Sequence, residues 1–285
     1  MTPDCTAAHL TRPSDIRSYL QRPGEAELEL RRIFPRGQAI VIFDIGACEA
    51  EDSIRYARAF PNAMVYAFEP LPANQSLAAE NLRTFEARNV ELVPLALSDR
   101  TGRASFHISS GRPPDLFSGE DWNYGNKSSS LLPPAGCSPM YGWLTFEETV
   151  EVDCETLESF CTRRALRRVD FIHMDVQGAE ALVVEGAGEL LRDVTAIWLE
   201  VAERELYRGQ KLRWEIERMM LRRGFILAKR LQHGVEGDEL FVNVRKPRVW
   251  PYLLGIHAQR LGARARFLLG GCWSRLRRLR SGRAT

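Results

Sequence analysis

The sequence contains no Cys-x-x-Cys pair. Its six cysteines, Cys5, Cys48, Cys137, Cys154, Cys161 and Cys272, stand apart, so neither a structural zinc site nor a redox dithiol is indicated and reduced thiols are expected. No apolar run approaches the roughly 18 residues of a membrane span, and Met1–Leu20 is too polar for a secretory signal, so a cytoplasmic protein is expected. No acidic residue follows Glu239. All 37 Asp and Glu lie at or before it while 11 of the 39 Lys and Arg lie after it, so the net charge of +2 hides an acidic body with a basic tail. That distribution is not the footprint of a domain that wraps nucleic acid, and no nucleic-acid partner is expected.

A dinucleotide fingerprint is also missing. The β-branched run Ile40–Ile45 reads as a buried parallel strand, followed by a short turn at Gly46 and the start of a helix near Glu51. Counting from Gly46, the second and third glycine positions of G-x-G-x-x-G are Cys48 and Glu51. Glu49, Glu51 and Asp52 place carboxylates where a pyrophosphate would sit, so an anionic cofactor would meet like charge. A nicotinamide-dependent oxidoreductase is thereby disfavoured. S-adenosylmethionine, which has a positive sulfonium and no phosphate, suits the turn. Glu69, at the end of the next strand, stands at the spacing from which an acidic residue grips ribose hydroxyls. Asp44 and Gly46 join it as candidate cofactor residues. The alternative is an ordinary α/β core in which Asp44 and Glu69 cap helices.

From Ile40 onward strands and helices alternate: strand 40–45, helix 51–60 stopped by Pro61, strand 64–69, helix 73–87 and strand 90–96. Ser98 and Asp99 close the third strand at a candidate adenine-binding position, a turn-forming Asp being the alternative, and 104–109 reads as extended. Pattern returns with Thr149–Val152, helix 155–166, strand 169–175, helix 178–191, strand 196–201 and helix 211–222. Strands near 225–229 and 239–244 then form an antiparallel pair. The expected fold is α/β: the Rossmann-like plan of class I methyltransferases, a mostly parallel seven-stranded sheet with helices on both faces. The expected organisation is an N-terminal helical extension over 1–38, a catalytic domain over 39–246 and a basic amphipathic tail over 247–285. In the extension a helix over Glu25–Phe34 would pack Leu28, Leu30 and Ile33 on the core.

Residues 109–146 interrupt the alternation with a Gly-, Pro- and Ser-rich stretch containing Trp122, Tyr124, Tyr141 and Trp143. Long irregular segments rich in aromatics are more often functional than disordered. The segment reads as an acceptor-binding flap, with Trp122, Tyr124, Lys127 and Ser129 as candidate substrate-binding residues; a packed insertion is the alternative.

Six motifs in register carry a family resemblance: Phe43-Asp44-Ile45-Gly46-Ala47, Tyr66-Ala67-Phe68-Glu69-Pro70, Ala96-Leu97-Ser98-Asp99, Ser128-Ser129-Ser130-Leu131, Val169 through Glu180, and Trp198-Leu199-Glu200-Val201. Over roughly residues 38–230 the chain resembles FkbM-type methyltransferases. The resemblance implies an S-adenosylmethionine-dependent enzyme that O-methylates a hydroxyl of a saccharide, glycan or secondary metabolite. The departures from the family pattern are Cys48 for Asn, Ala50 for Gly, His173 for Lys and Gln177 for Glu. A degenerate fold serving as a binding or scaffold module is the alternative.

In open α/β sheets ligands bind beyond the carboxyl ends of the strands. This puts Asp44, Glu69, Asp175 and Glu200 around one crevice, with Glu200 on the acceptor side. His173 and Asp175 share a face by strand alternation and are the candidate catalytic residues, His173 for the proton and Asp175 for positioning. A sheet-bound histidine and a helix N-cap are their respective alternatives. Nothing in the spacing defines a metal site, and none is expected. The tail alternates leucines with arginines, a pattern suited to an anionic membrane surface or a partner protein, or else to a solvated tail.

Overall fold

The computed structural model describes residues 16–112 and 124–258. Its centre is a seven-stranded sheet. β1 (Val41–Ile45), β2 (Met64–Phe68), β3 (Val90–Val93), β7 (Phe171–Met174) and β8 (Ala196–Ala202) run parallel, and β10 (Glu236–Asn243) lies antiparallel between β8 and β9 (Phe225–His233). The order β3-β2-β1-β7-β8-β10-β9 is that of the class I methyltransferase plan. A second, three-stranded sheet, β4 (Ala96–Leu97), β6 (Thr145–Glu155) and β5 (Gly102–Ser110), extends the segments expected at 104–109 and 149–152 into a long hairpin.

The buried strands divide their side chains between two cores. Phe43 and Ile45 of β1 join Phe68, Phe160, Ile172 and Leu199 on one face. Ile42 joins Leu30, Tyr56, Phe171 and Trp198 on the other. Because side chains alternate along a strand, Asp44 and His173 fall on this second face, where register pairs them directly across β1 and β7. Helix α3 (Glu51–Ala59) covers that side, its first turn carrying Glu51 and Asp52, whose charge suits a helix N-terminus.

Three of the differences from the sequence reading have a local reason. The strand expected over 90–96 stops at Val93 because Pro94 has no N–H for the ladder, and Ala96–Leu97 pair in the second sheet instead. The helix expected over 178–191 is split into α7 (Glu180–Gly186) and a 3-10 segment, Gly188–Arg192. Gly186 lies against the Ser98 carbonyl with no room for a Cβ, and Gly188 takes φ +52. The third difference is at the C-terminal boundary. Residues 249–258 are helical, with Val249 and Tyr252 buried beside α2 (Glu25–Ile33), and Tyr252 donates to Glu29 Oε2 at 2.8 Å. Packed structure therefore runs past residue 246, and both α2 and this helix belong to the second core. Leu30 and Ile33 are buried there as expected, but Leu28 is 40% exposed. No helix among the described residues is long and apolar enough to cross a membrane.

Candidate active site

The turns after β1 and β2 frame a cleft with about 520 Å³ of empty space. Glu69 is among its polar lining residues, and Phe68, Leu97, Phe106 and Leu131 are among its apolar ones. Glu69 is almost fully buried and works as a clasp: Oε2 accepts from the Cys48 N–H at 3.0 Å and Oε1 from the Leu71 N–H at 2.8 Å. Burial disfavours its charge and pushes its pKa up to about 7, against the pull of these backbone donors.

Only glycine fits at position 46. Its φ is +86, and a Cβ there would lie 1.9 Å from the Asp175 carbonyl oxygen. Cys48 and Ala50 are also left-handed, at φ 46 and φ 63. These are the positions where the family carries Asn and Gly, the residues that tolerate this conformation best. The loop thus keeps a left-handed path and bears strain of about 1–2 kcal/mol per residue.

The Lys127 ammonium crosses from the segment after the 3-10 helix Tyr124–Asn126 to Glu51 Oε1 at 2.5 Å. Asn126 Nδ2 donates to Glu49 Oε1 at 3.1 Å, and the Asn81 amide donates to the Glu49 carbonyl at 2.9 Å. Glu51 Oε2 is buried with no hydrogen-bond partner among the described residues. The cleft fits S-adenosylmethionine by the chemistry of its lining. It offers apolar walls for a flat ring and a carboxylate for hydroxyls.

A second cleft, with about 1220 Å³ of empty space, opens on the side of α3 and shares Gly46, Cys48, Lys127 and Asp175 with the first. His173 lines it. Its Nδ1 lies 3.1 Å from the Tyr56 hydroxyl and 3.5 Å from Asp44 Oδ1, and Asp44 Oδ2 accepts from the Ser53 hydroxyl. Burial opposes charge on the imidazole, but the carboxylates of Asp52, Asp44, Asp175 and Asp238 outweigh it and hold the pKa above the ordinary histidine value. Burial also raises Asp44, to about 7, with His173 opposing.

Asp175 stands where the two clefts and a third, flap-side groove meet. The residue is exposed, but protein crowded around its carboxyl desolvates it and raises its pKa to about 6, with the Gln177 amide opposing. Gln177 Nε2 donates to Asp175 Oδ1 at 2.8 Å and to Glu200 Oε2 at 3.1 Å, while its Oε1 lies 2.8 Å from the Tyr207 hydroxyl. Carboxylate oxygens of Asp175, Glu180 and Glu200 lie within 4.8 Å of one another. The donors facing them are Gln177 and, at Glu180, the N–H groups of Val176 and Gly178.

Of the residues expected at the cofactor, Gly46 and Glu69 line the first cleft, whereas Asp44 lines the second and meets His173. Ser98 and Asp99 lie one step past the wall formed by Leu95, Ala96 and Leu97, where Ser98 donates to Asp99 at 3.1 Å. Of the expected substrate residues, Lys127 lines all three spaces, Ser129 the first cleft and Glu200 the flap-side groove. Trp122 lies outside the described residues, and only the backbone of Tyr124 is described. Sequence reasoning passed over Tyr56, Gln177, Tyr207 and Asp238. Gln177 alone carried a signal, as a departure from the family's Glu; the others come from remote segments, and no local spacing marks them.

Residues 44–227 match the methyltransferase FkbM domain family. The 2-O-methyltransferase NoeI of Sinorhizobium fredii is 34% identical over 206 residues, covering 72% of this chain and 80% of that protein. Among solved structures, the N-terminal domain of EvdMO1 with SAH bound is 16% identical, with a TM-score of 0.42 over 81% of this chain and 84% of that one. TrmK of M. capricolum in complex with S-adenosyl-homocysteine is 8% identical, with a TM-score of 0.42 over 77% of this chain and 68% of that one. Likeness this distant says nothing of function, which rests on the family and the site. The chain belongs to the FkbM methyltransferase family and is an S-adenosylmethionine-dependent methyltransferase.

Proposed function

We propose that the protein methylates a hydroxyl oxygen of a saccharide, with His173 taking the hydroxyl proton and Asp175 holding the hydroxyl in place. The observation that carries this reading is the meeting of the two clefts at Gly46, Cys48, Lys127 and Asp175, with His173 lining the second. The 2-O-methyl transfer named for the relative NoeI supports oxygen as the acceptor atom.

Bound S-adenosylmethionine supplies an electrophilic methyl carbon; the residues of the chain position the reactants and manage one proton. Glu69 and Gly46 hold the donor side, Glu69 through carboxylate lone pairs left after its two backbone bonds. Asp175 accepts from the acceptor hydroxyl and fixes its direction, a positional contribution that dominates displacements of this kind. With Nδ1 held by Asp44 and Tyr56, the imidazole receives the hydroxyl proton at Nε2 as the new O–C bond forms. The negative environment then stabilises the imidazolium.

The test is incubation of the full chain with S-adenosylmethionine labelled in its methyl group and a panel of glycosides, followed by linkage analysis of labelled sugar. Label on oxygen, reduced at least a hundredfold in Asp175→Asn with cofactor affinity retained, is the expected result. Label on carbon or nitrogen would refute the assignment.

A further inference from the structure

We propose that the cleft between the N-terminal helices and the sheet receives the acceptor, and that it selects a saccharide without phosphate, neutral or amine-bearing. This rests on the saccharide reading above and adds a place and a charge preference.

The place follows from the base. His173 lines this cleft and is not among the residues lining the flap-side groove, which Tyr141, Trp143, Glu200, Tyr207 and Glu236 wall. In that groove the polar groups are turned on one another: the Tyr141 hydroxyl donates to Glu236 at 2.6 Å, and Gln177 holds Glu200. The cleft on the His173 side keeps an oxygen, Glu51 Oε2, that is buried and without a partner among the described residues. Its outer wall is the segment joining α1 (Arg17–Gln21) to α2. That wall is fastened to α3: the Tyr19 hydroxyl donates to Asp52 at 3.0 Å, Arg55 donates to the Tyr19 carbonyl at 2.8 Å, and its guanidinium stacks 3.6 Å from the Tyr19 ring. The N-terminal extension thus forms one side of a space that reaches the donor cleft. Tyr19 and the little of Trp198 left exposed line the space, and its carboxylates offer acceptors for sugar hydroxyls.

The charge preference follows from the lining. It carries Glu25, Asp44, Glu51, Asp52, Asp175 and Asp238 against the fixed cations Arg55 and Lys127, which pair with Asp52 at 2.8 Å and Glu51 at 2.5 Å. Two histidines line it too, and each faces a carboxylate: His173 faces Asp44, and His233 lies 3.3 Å from Asp238. A phosphate monoester or nucleotide-linked sugar entering here would meet anions in a partly buried space where salt screens weakly. An ammonium on the sugar would be attracted.

The experiment gives the full chain S-adenosylmethionine and, in turn, a methyl hexoside, a methyl 2-amino-2-deoxyhexoside and a methyl hexoside 6-phosphate. Occupancy is read separately from chemistry, as quenching of tryptophan fluorescence by each glycoside in the complex with S-adenosyl-homocysteine, with Trp198→Phe as the control for which indole reports. The expected result is methylation of the first two, with kcat/KM for the phosphate at least tenfold below that for the hexoside and no quench by it. Tyr19→Ala should raise KM for the hexoside at least tenfold while cofactor affinity stays within twofold. Asp238→Asn, which retains an acceptor for the Trp198 indole N–H, should narrow the discrimination against phosphate at least threefold. Equal kcat/KM for phosphate and hexoside would overturn the charge preference. A rise in KM from Tyr141→Ala with none from Tyr19→Ala or Asp238→Asn would overturn the location while leaving saccharide methylation standing. Neither transfer nor quench with any of the three would overturn the saccharide reading and this proposal with it.

Discussion

Replacing Glu69 by Gln tests the donor site most sharply, because the substitution keeps the shape and removes one acceptor. Both carboxylate oxygens already accept backbone N–H groups, from Cys48 at 3.0 Å and from Leu71 at 2.8 Å. In the variant one of the two positions becomes an NH₂ aimed at an N–H, so a buried donor goes unsatisfied at a cost of about 1–3 kcal/mol. For a chain of this size that corresponds to a fall in Tm of roughly 2–4 °C per kcal/mol. The loss at the ligand is separate: a charge-assisted hydrogen bond to a ribose hydroxyl contributes about 1.5–3 kcal/mol, so Kd should rise on the order of 10- to 150-fold. Calorimetric titration with S-adenosylmethionine and S-adenosyl-homocysteine should show equal loss for both, since the ribose is common to them and the sulfonium is not. Loss confined to S-adenosylmethionine would assign Glu69 to the methyl-donor charge instead. A folded variant whose two Kd values stay within threefold of the parent would refute the ribose assignment outright.

His173 must be neutral to take a proton, and its pKa is held up by Asp44 on β1, Asp52 on α3, Asp175 after β7 and Asp238 on β10, beside the Tyr56 hydroxyl. The rate should therefore climb from pH 6 into the alkaline range, and His173→Gln should flatten that rise; a wild-type profile flat from pH 6 to 9 would remove His173 as the base. Asp44, Glu69 and Glu180 are buried and have folded pKa values raised by that burial to about 7, 7 and 8 from ordinary carboxylate values. The stability they contribute is present on the acid side and lost as pH rises through those values. The cofactor-free protein should lose on the order of 5–10 °C in Tm between pH 6 and 8 in scanning calorimetry, and a Tm that rises over this interval would contradict the burial of these charges. A chain ending at Ala258 keeps Val249 and Tyr252 in the core while removing eight basic residues. It should stay folded and lose the low-salt binding to anionic vesicles expected of the full chain, each basic residue near the surface contributing about 1 kcal/mol; equal sedimentation of both chains with vesicles would argue against a membrane role for the tail.

The chemistry of the donor turn was legible in the sequence because it is local. Ile40–Ile45 has too little polarity to be anything but buried, Gly46 stands at a strand-to-helix turn, and Glu69 follows the next strand at a fixed interval. Strand alternation likewise puts His173 and Asp175 on one face. Alternation does not say what covers that face. Asp44, read from its position as a cofactor ligand, lies against His173, because β1 and β7 are neighbours in the sheet although more than a hundred residues apart in sequence. The same holds for Tyr19, Tyr56 and Asp238, which three separate elements bring to the His173 side, and for Tyr252, which ties the start of the tail to α2. Hydrophobic period and turn chemistry act over a few residues and are written into the chain. Which side chains share a cleft depends on strand order and on which helices close over each face of the sheet, and folding sets these through contacts that no local pattern encodes.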